Sequence, residues 1–127
     1  MSKLRRIIIA GGRDFNDSQL LLNSMWPLLK GDHVVEIISG GASGADKLGE
    51  CFAKSYDLPI TRFPADWSKH GKSAGPIRNL QMAEYADELV AFWDGKSRGT
   101  KNMIDTATKL NLKVHVVLYN QHLTETN

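Results

Sequence analysis

One cysteine, Cys51, stands among 127 residues, which excludes an internal disulfide and any cysteine-based metal cluster. No apolar run approaches the roughly 20 residues that a membrane helix requires. The first one, Ile7-Ile8-Ile9, is cut short by Gly11-Gly12, too soon for a signal peptide as well. No internal repeat, linker or low-complexity stretch interrupts the chain. Neither sign of charge dominates: a net charge of +2 is too small to argue for nucleic acid. The histidines lack metal-ligand spacing, because His33, His115 and His122 are scattered and only His70 falls in a candidate site loop. These absences lead to an expectation of a cytoplasmic domain with no metal, no membrane partner and no cofactor that the sequence requires.

What is present is the makeup of an ordinary globular domain, 42% hydrophobic and 24% charged. Apolar runs alternate with amphipathic segments. Strands are expected at about Leu4 to Ala10, His33 to Ser39, Pro59 to Phe63, Glu88 to Trp93 and Lys113 to Tyr119. Between them lie a helix capped by Asp17 or Ser18, with Pro27 as a kink or early stop, and a second over Ala45 to Tyr56. A third opens around Pro76 and a fourth spans Thr100 to Leu110. A long polar loop is expected up to Gly75, and a fraying polar tail over residues 121–127 follows the domain of residues 1–120. Strands separated by helices imply parallel pairing through right-handed crossovers. The expectation is a Rossmann-like, doubly wound α/β domain with a five-stranded sheet ordered 3-2-1-4-5. Its ligand would lie beyond the carboxyl ends of the strands, where the winding reverses.

Three glycine-bearing clusters fall on that edge: Gly11-Gly12-Arg13-Asp14-Phe15, Ser39-Gly40-Gly41-Ala42-Ser43-Gly44-Ala45-Asp46, and Asp94-Gly95-Lys96-Ser97-Arg98-Gly99-Thr100. Strand, glycine turn and helix start make a phosphate cradle, since the first N–H groups of a helix are unpaired and attract anions. Two familiar cradles are excluded. Gly95-Lys96-Ser97 and Gly71-Lys72-Ser73 have Val90 and Asp66 where a Walker A loop needs its first glycine. The glycines after the second strand also lack the dinucleotide fingerprint's spacing.

The single side chains each have two readings. Asp46 either complements the helix dipole or receives ribose hydroxyls, and Asp14 and Asp94 either bond their own turns or act on a ligand. Arg13 and Arg78 suit phosphate, because guanidinium forks pair bidentately with it. Phe15 and Trp93 either stack on a base or pack in the core. Cys51, on a face with Leu48, Phe52 and Ser55, reads as an inert core thiol.

Taken with Gly75-Pro76-Ile77-Arg78-Asn79-Leu80-Gln81-Met82 and Phe92-Trp93, the three clusters resemble the small YspA/YpsA-related SLOG proteins over about Ile7 to Tyr119. That resemblance implies a Rossmann-like fold and a ligand such as NAD, ADP-ribose or AMP, held by the three clusters together with Arg78 and Asn79. It implies relatives among the LOG phosphoribohydrolases and the DNA-processing protein DprA. The LOG motif Pro-Gly-Gly-x-Gly-Thr-x-x-Glu, aligned on Gly99-Thr100, puts Met103 where its glutamate should be, and the loop opens with Asp94-Gly95 instead of Pro-Gly-Gly. The LOG reaction therefore does not transfer residue by residue.

Three functions follow as expectations. The first is a sensor or sequestering module that binds a nucleotide-derived small molecule. The second is a nucleotide N-glycosidase with catalytic candidates Asp46, Asp14, Asp94 and Arg78, and His70 beside them. The third, least favoured, is single-stranded nucleic-acid binding through Lys69, Lys72, Arg78, Lys96, Arg98 and Lys101, with Trp67 or Phe15 stacking bases. A homodimer or higher homo-oligomer is compatible with all three.

Overall fold

The computed structural model describes residues 3–31 and 33–119, so the expected tail of residues 121–127 and His122 lie outside the described residues. Five parallel strands, β1 (Lys3–Gly11), β2 (His33–Ser39), β3 (Ile60–Arg62), β4 (Glu88–Trp93) and β5 (Lys113–Leu118), form one sheet in the order β3-β2-β1-β4-β5. The expected topology is the observed one. Ile7 on the central strand aligns with Ile37 of β2 and Glu88 of β4, and the apolar runs are continuous because both faces of these strands are covered.

Two helices cover each face. On one, α1 (Ser18–Met25) and α2 (Ala45–Ser55) bring Leu21, Met25, Phe52 and Ala53 onto Ile7, Ile9, Ile37 and Phe92. On the other, α4 (Ala74–Tyr85) and α5 (Arg98–Lys109) bring Met82, Ala83, Met103 and Ala107 onto Ile8, Ile38, Leu89 and Ala91. Asp17 caps α1 by accepting from the Leu20 N–H at 3.0 Å. The helix stops at Met25, and Pro27 sits in a 3₁₀ turn over Trp26–Leu29.

Two expectations are corrected. The polar segment before Gly75 is not a plain loop: it folds into a short helix, α3 (Trp67–His70), and a 3₁₀ turn over Gly71–Ser73, with α4 starting at Ala74. Asp66 makes this local structure by accepting from the Lys69 N–H at 3.1 Å, a cap signal hidden among polar residues. Cys51 is exposed, not a core thiol. The face that α2 buries is Ala45, Asp46, Gly49, Glu50, Phe52 and Ala53, rotated from the expected one. Small residues at four-residue intervals let this helix approach the sheet, so that a Cβ on Gly49 would lie 2.8 Å from the Ile9 side chain.

Candidate functional site

The carboxyl ends of β1 and β4, the first turns of α4 and α5, and the start of α3 enclose a cavity of about 630 Å³ at the point where the winding reverses. Its volume falls within the roughly 300–1,000 Å³ of small-molecule sites. Of the expected site residues, the cavity gathers Gly11, Gly12, Arg13, Asp14, Ala42, Asp46, Arg78, Asn79, Asp94, Ser97, Gly99 and Thr100. Ser39, Gly40, Gly41, Gly44, Ala45, Phe15 and Gly95 stand outside its lining, as does His70.

The turn after β2 is closed by its own bonds. The Gly41 N–H donates to Ser39 Oγ at 3.0 Å, the Ala42 N–H to Asp46 Oδ2 at 3.1 Å, and the Ala45 N–H to the Gly12 carbonyl at 3.1 Å. The Gly40 N–H also turns to the Asp46 carboxylate. Ser39 itself donates to Glu50 Oε2 at 2.7 Å, and Arg62 grips the same carboxylate through two nitrogens. Most of the N–H groups in this expected phosphate cradle therefore hold the turn's shape. Gly44, at φ +78°, passes so close to the β1 loop that a Cβ would collide with the Gly12 carbonyl.

Asp46 is consequently a buried carboxyl, 5% exposed. Burial pushes its pKa up to about 6, and the Glu50 charge adds to the rise. The Ala42 and Gly40 N–H groups and the Arg78 guanidinium offset part of it. Arg78 is itself pushed below the ordinary arginine value, first by burial and also by the charge of Arg13. Two guanidinium groups therefore oppose each other at one wall, with Asp46 as the counter-charge.

The adjoining wall is the loop into α5. Asp94 Oδ1 accepts from the Lys96 and Ser97 N–H groups, both at 2.8 Å, and these bonds hold its carboxyl below the usual range. Ser97 caps the helix by accepting from the Thr100 N–H at 3.4 Å. Among the described residues, the Arg98 and Gly99 N–H groups have no protein acceptor, as the first turn of a helix leaves them. Asp14 accepts from the Tyr119 hydroxyl at 2.7 Å, while burial and that carboxylate push the phenol up.

Phe15 does not offer a stacking face to the cavity. It is 2% exposed, stacked on Phe92 at 4.6 Å and edge-on to Tyr119 at 4.9 Å. Trp93 donates from Nε1 to the Ser97 carbonyl at 3.1 Å and stiffens the loop. The aromatic that does line the cavity is Trp67, 53% exposed. Arg98, Asn102 and Met103 line it too. Asn102 had no signal beyond lying one helical turn after Arg98, since a polar residue on an amphipathic helix reads as solvated.

Fold and cavity define an open parallel α/β domain of the kind that takes ligands at its topological switch point. The sequence model of the YspA, cpYpsA-related SLOG family matches residues 5–70. The chain is also 30% identical over 118 residues to the Gene 61 protein of Mycobacterium phage D29, across 87% of this chain and 94% of that protein. This protein therefore belongs to the YspA, cpYpsA-related SLOG family. No solved structure matches it significantly. No described helix is long and apolar enough to cross a membrane.

Proposed function

We propose that the protein binds a nucleotide-derived ligand of the NAD, ADP-ribose or AMP type in this cavity, as a sensor or sequestering module in the cytoplasm. The observation that carries the reading is the convergence of Arg13, Arg78 and Arg98 on one cavity that also exposes the indole of Trp67. Guanidinium groups recognise phosphate, and an indole face accepts a base. The open Arg98 and Gly99 N–H groups add to the positive potential at the α5 end. With most N–H groups of the turn after β2 engaged in its own bonds, the phosphate is assigned to the α5 side, and Asp46 and Asp14 remain for ribose hydroxyls. Calorimetric titration with NAD, ADP-ribose, AMP and cyclic nucleotides tests this. Binding in the micromolar range, weakened at least tenfold by Arg78→Ala, is expected; no heat from any of them refutes it.

Asp46 favours a second reading, cleavage of the ribose–base bond. A carboxyl that titrates near 6 at the cavity wall suits acid–base work on an oxocarbenium-like transition state. Met103, 1% exposed at the position of the LOG glutamate, offers no such group. Chromatography for free base after long incubation with nucleoside monophosphates and NAD decides between the readings. Intact substrate removes the glycosidase.

A further inference from the structure

Along the cavity wall, a chain of side-chain bonds sets the polarity of Asn102. Arg78 Nε donates to Asn79 Oδ1 at 3.0 Å. A guanidinium has donors and no acceptor, so the Asn79 amide must turn its oxygen to Arg78. Its Nδ2 then faces Asn102 Oδ1 at 2.9 Å and the Gly99 carbonyl at 3.5 Å, an acceptor of fixed identity. Asn79 is only 6% exposed, so water does not offer it an alternative orientation. Asn102 must therefore turn its oxygen to Asn79, and its NH₂ points away from that bond. Asn102 lines the cavity, and among the described residues no protein acceptor takes its two Nδ2 hydrogens.

We infer that Asn102 is a specificity-determining residue, an obligate donor whose polarity Arg78 dictates through Asn79, and that it receives a phosphoryl oxygen of the ligand. The inference rests on the nucleotide reading above and names which ligand atom meets which wall. Side chains on a helix lean toward its N-terminus, which sets the Asn102 amide over the turn that carries Arg98. The Asn79 contact with the Gly99 carbonyl places the amide pair against that same turn. A phosphoryl oxygen only accepts, and it gains from the adjacent guanidinium groups. An amino group there would meet NH₂ with N–H, and a hydroxyl could accept but, uncharged, would gain less from the guanidinium groups.

The test is calorimetry with a cycle of residue and ligand. The tightest binder among AMP, NAD and ADP-ribose is titrated against the wild type and against Asn102→Ala, Asn102→Ser and Asn79→Asp, and adenosine serves as the counterpart without phosphate. Hydrogen bonds to charged groups predict that Asn102→Ala weakens the phosphorylated ligand about tenfold or more, with adenosine within about twofold. Serine keeps a donor and falls between. Asn79→Asp still accepts from Arg78 but offers Asn102 no donor, which frees its amide to reverse, so it matches the alanine variant. These arms keep the test alive should Asn102→Ala fail to fold. Unchanged affinity in Asn102→Ala, or equal losses for the phosphorylated ligand and adenosine, overturns the inference and leaves the nucleotide reading standing. A wild type that binds none of the three overturns both.

Discussion

Replacing Asp46 by asparagine should stabilise the free protein at neutral pH, and by only about a third as much at pH 4.5. The carboxyl has a pKa near 6 in the fold against its usual 3.8, chiefly because burial disfavours the charged form. A group whose folded pKa is raised contributes stability below its unfolded pKa and loses it as pH rises through the folded one. The window here is therefore about pH 4 to 6, with a constant cost above it. The interval between 3.8 and about 6 corresponds to roughly 3 kcal/mol. Asparagine keeps an oxygen for the Ala42 and Gly40 N–H groups and carries no charge, so most of this cost disappears. The pull of Arg78 on the carboxylate is already part of the net rise. For 127 residues, unfolding entropy near 2.1 cal/mol/K per residue converts the gain to about 10 °C in Tm at pH 8. Thermal unfolding of both proteins at pH 4.5 and pH 8 measures it. An Asp46→Asn protein no more stable than wild type at pH 8, or a gap equal at both values, refutes burial as the dominant cause. The cost also bears on function, since a carboxyl kept at a loss in a cavity wall is a common mark of a working site.

Two further predictions separate backbone from ligand roles. Gly44→Ala drives a Cβ into the Gly12 carbonyl at φ +78°, whereas Gly41→Ala, at φ +77°, meets nothing within 4 Å. Urea unfolding should give about 1–2 kcal/mol for Gly41→Ala, the left-handed backbone cost alone, and clearly more for Gly44→Ala; equal losses would remove the close loop contact. Phe15→Ala should cost about 3–5 kcal/mol as a core deletion. Trp67→Ala, at a half-exposed position, should change stability by less than about 0.5 kcal/mol yet weaken nucleotide binding. A Trp67→Ala protein that binds like wild type ends the role of the indole as a base platform.

The strand order and the edge that carries the site were legible because they depend on periodicity and glycine position. The continuous apolar run Ile7-Ile8-Ile9, in a chain that alternates strands with helices, reads as a two-sided strand, and the clusters after β1, β2 and β4 can reach one another only at the carboxyl edge. Which member of a cluster faces the cavity was not legible. Phe15 and Trp67 are both aromatics in site loops, and only the packing of Phe92 and Tyr119 around one of them makes it core. Cys51 shows the same limit: a helix face shared with Leu48 and Phe52 read as core, and the small residues Ala45, Gly49 and Ala53 turned the helix the other way.

The turn after β2 shows why a glycine-rich motif does not by itself locate an anion. Such a turn offers N–H groups only if nothing nearer accepts them, and here Ser39, Asp46 and the Gly12 carbonyl accept first. Those acceptors are sequence-near or fold-near polar groups whose geometry periodicity does not encode. The turn instead does positional work: its bonds hold Asp46 at the cavity wall, and the Gly40 carbonyl accepts from Arg78 Nη1 at 2.8 Å. That bond, with Nε held on Asn79, fixes the guanidinium at two of its nitrogens and thereby fixes the amides behind it. A sequence that reads as a phosphate cradle thus becomes the anchor for the arginine and asparagines that line the cavity. Disturbing it should change selectivity through Arg78 before it changes any direct contact with phosphate.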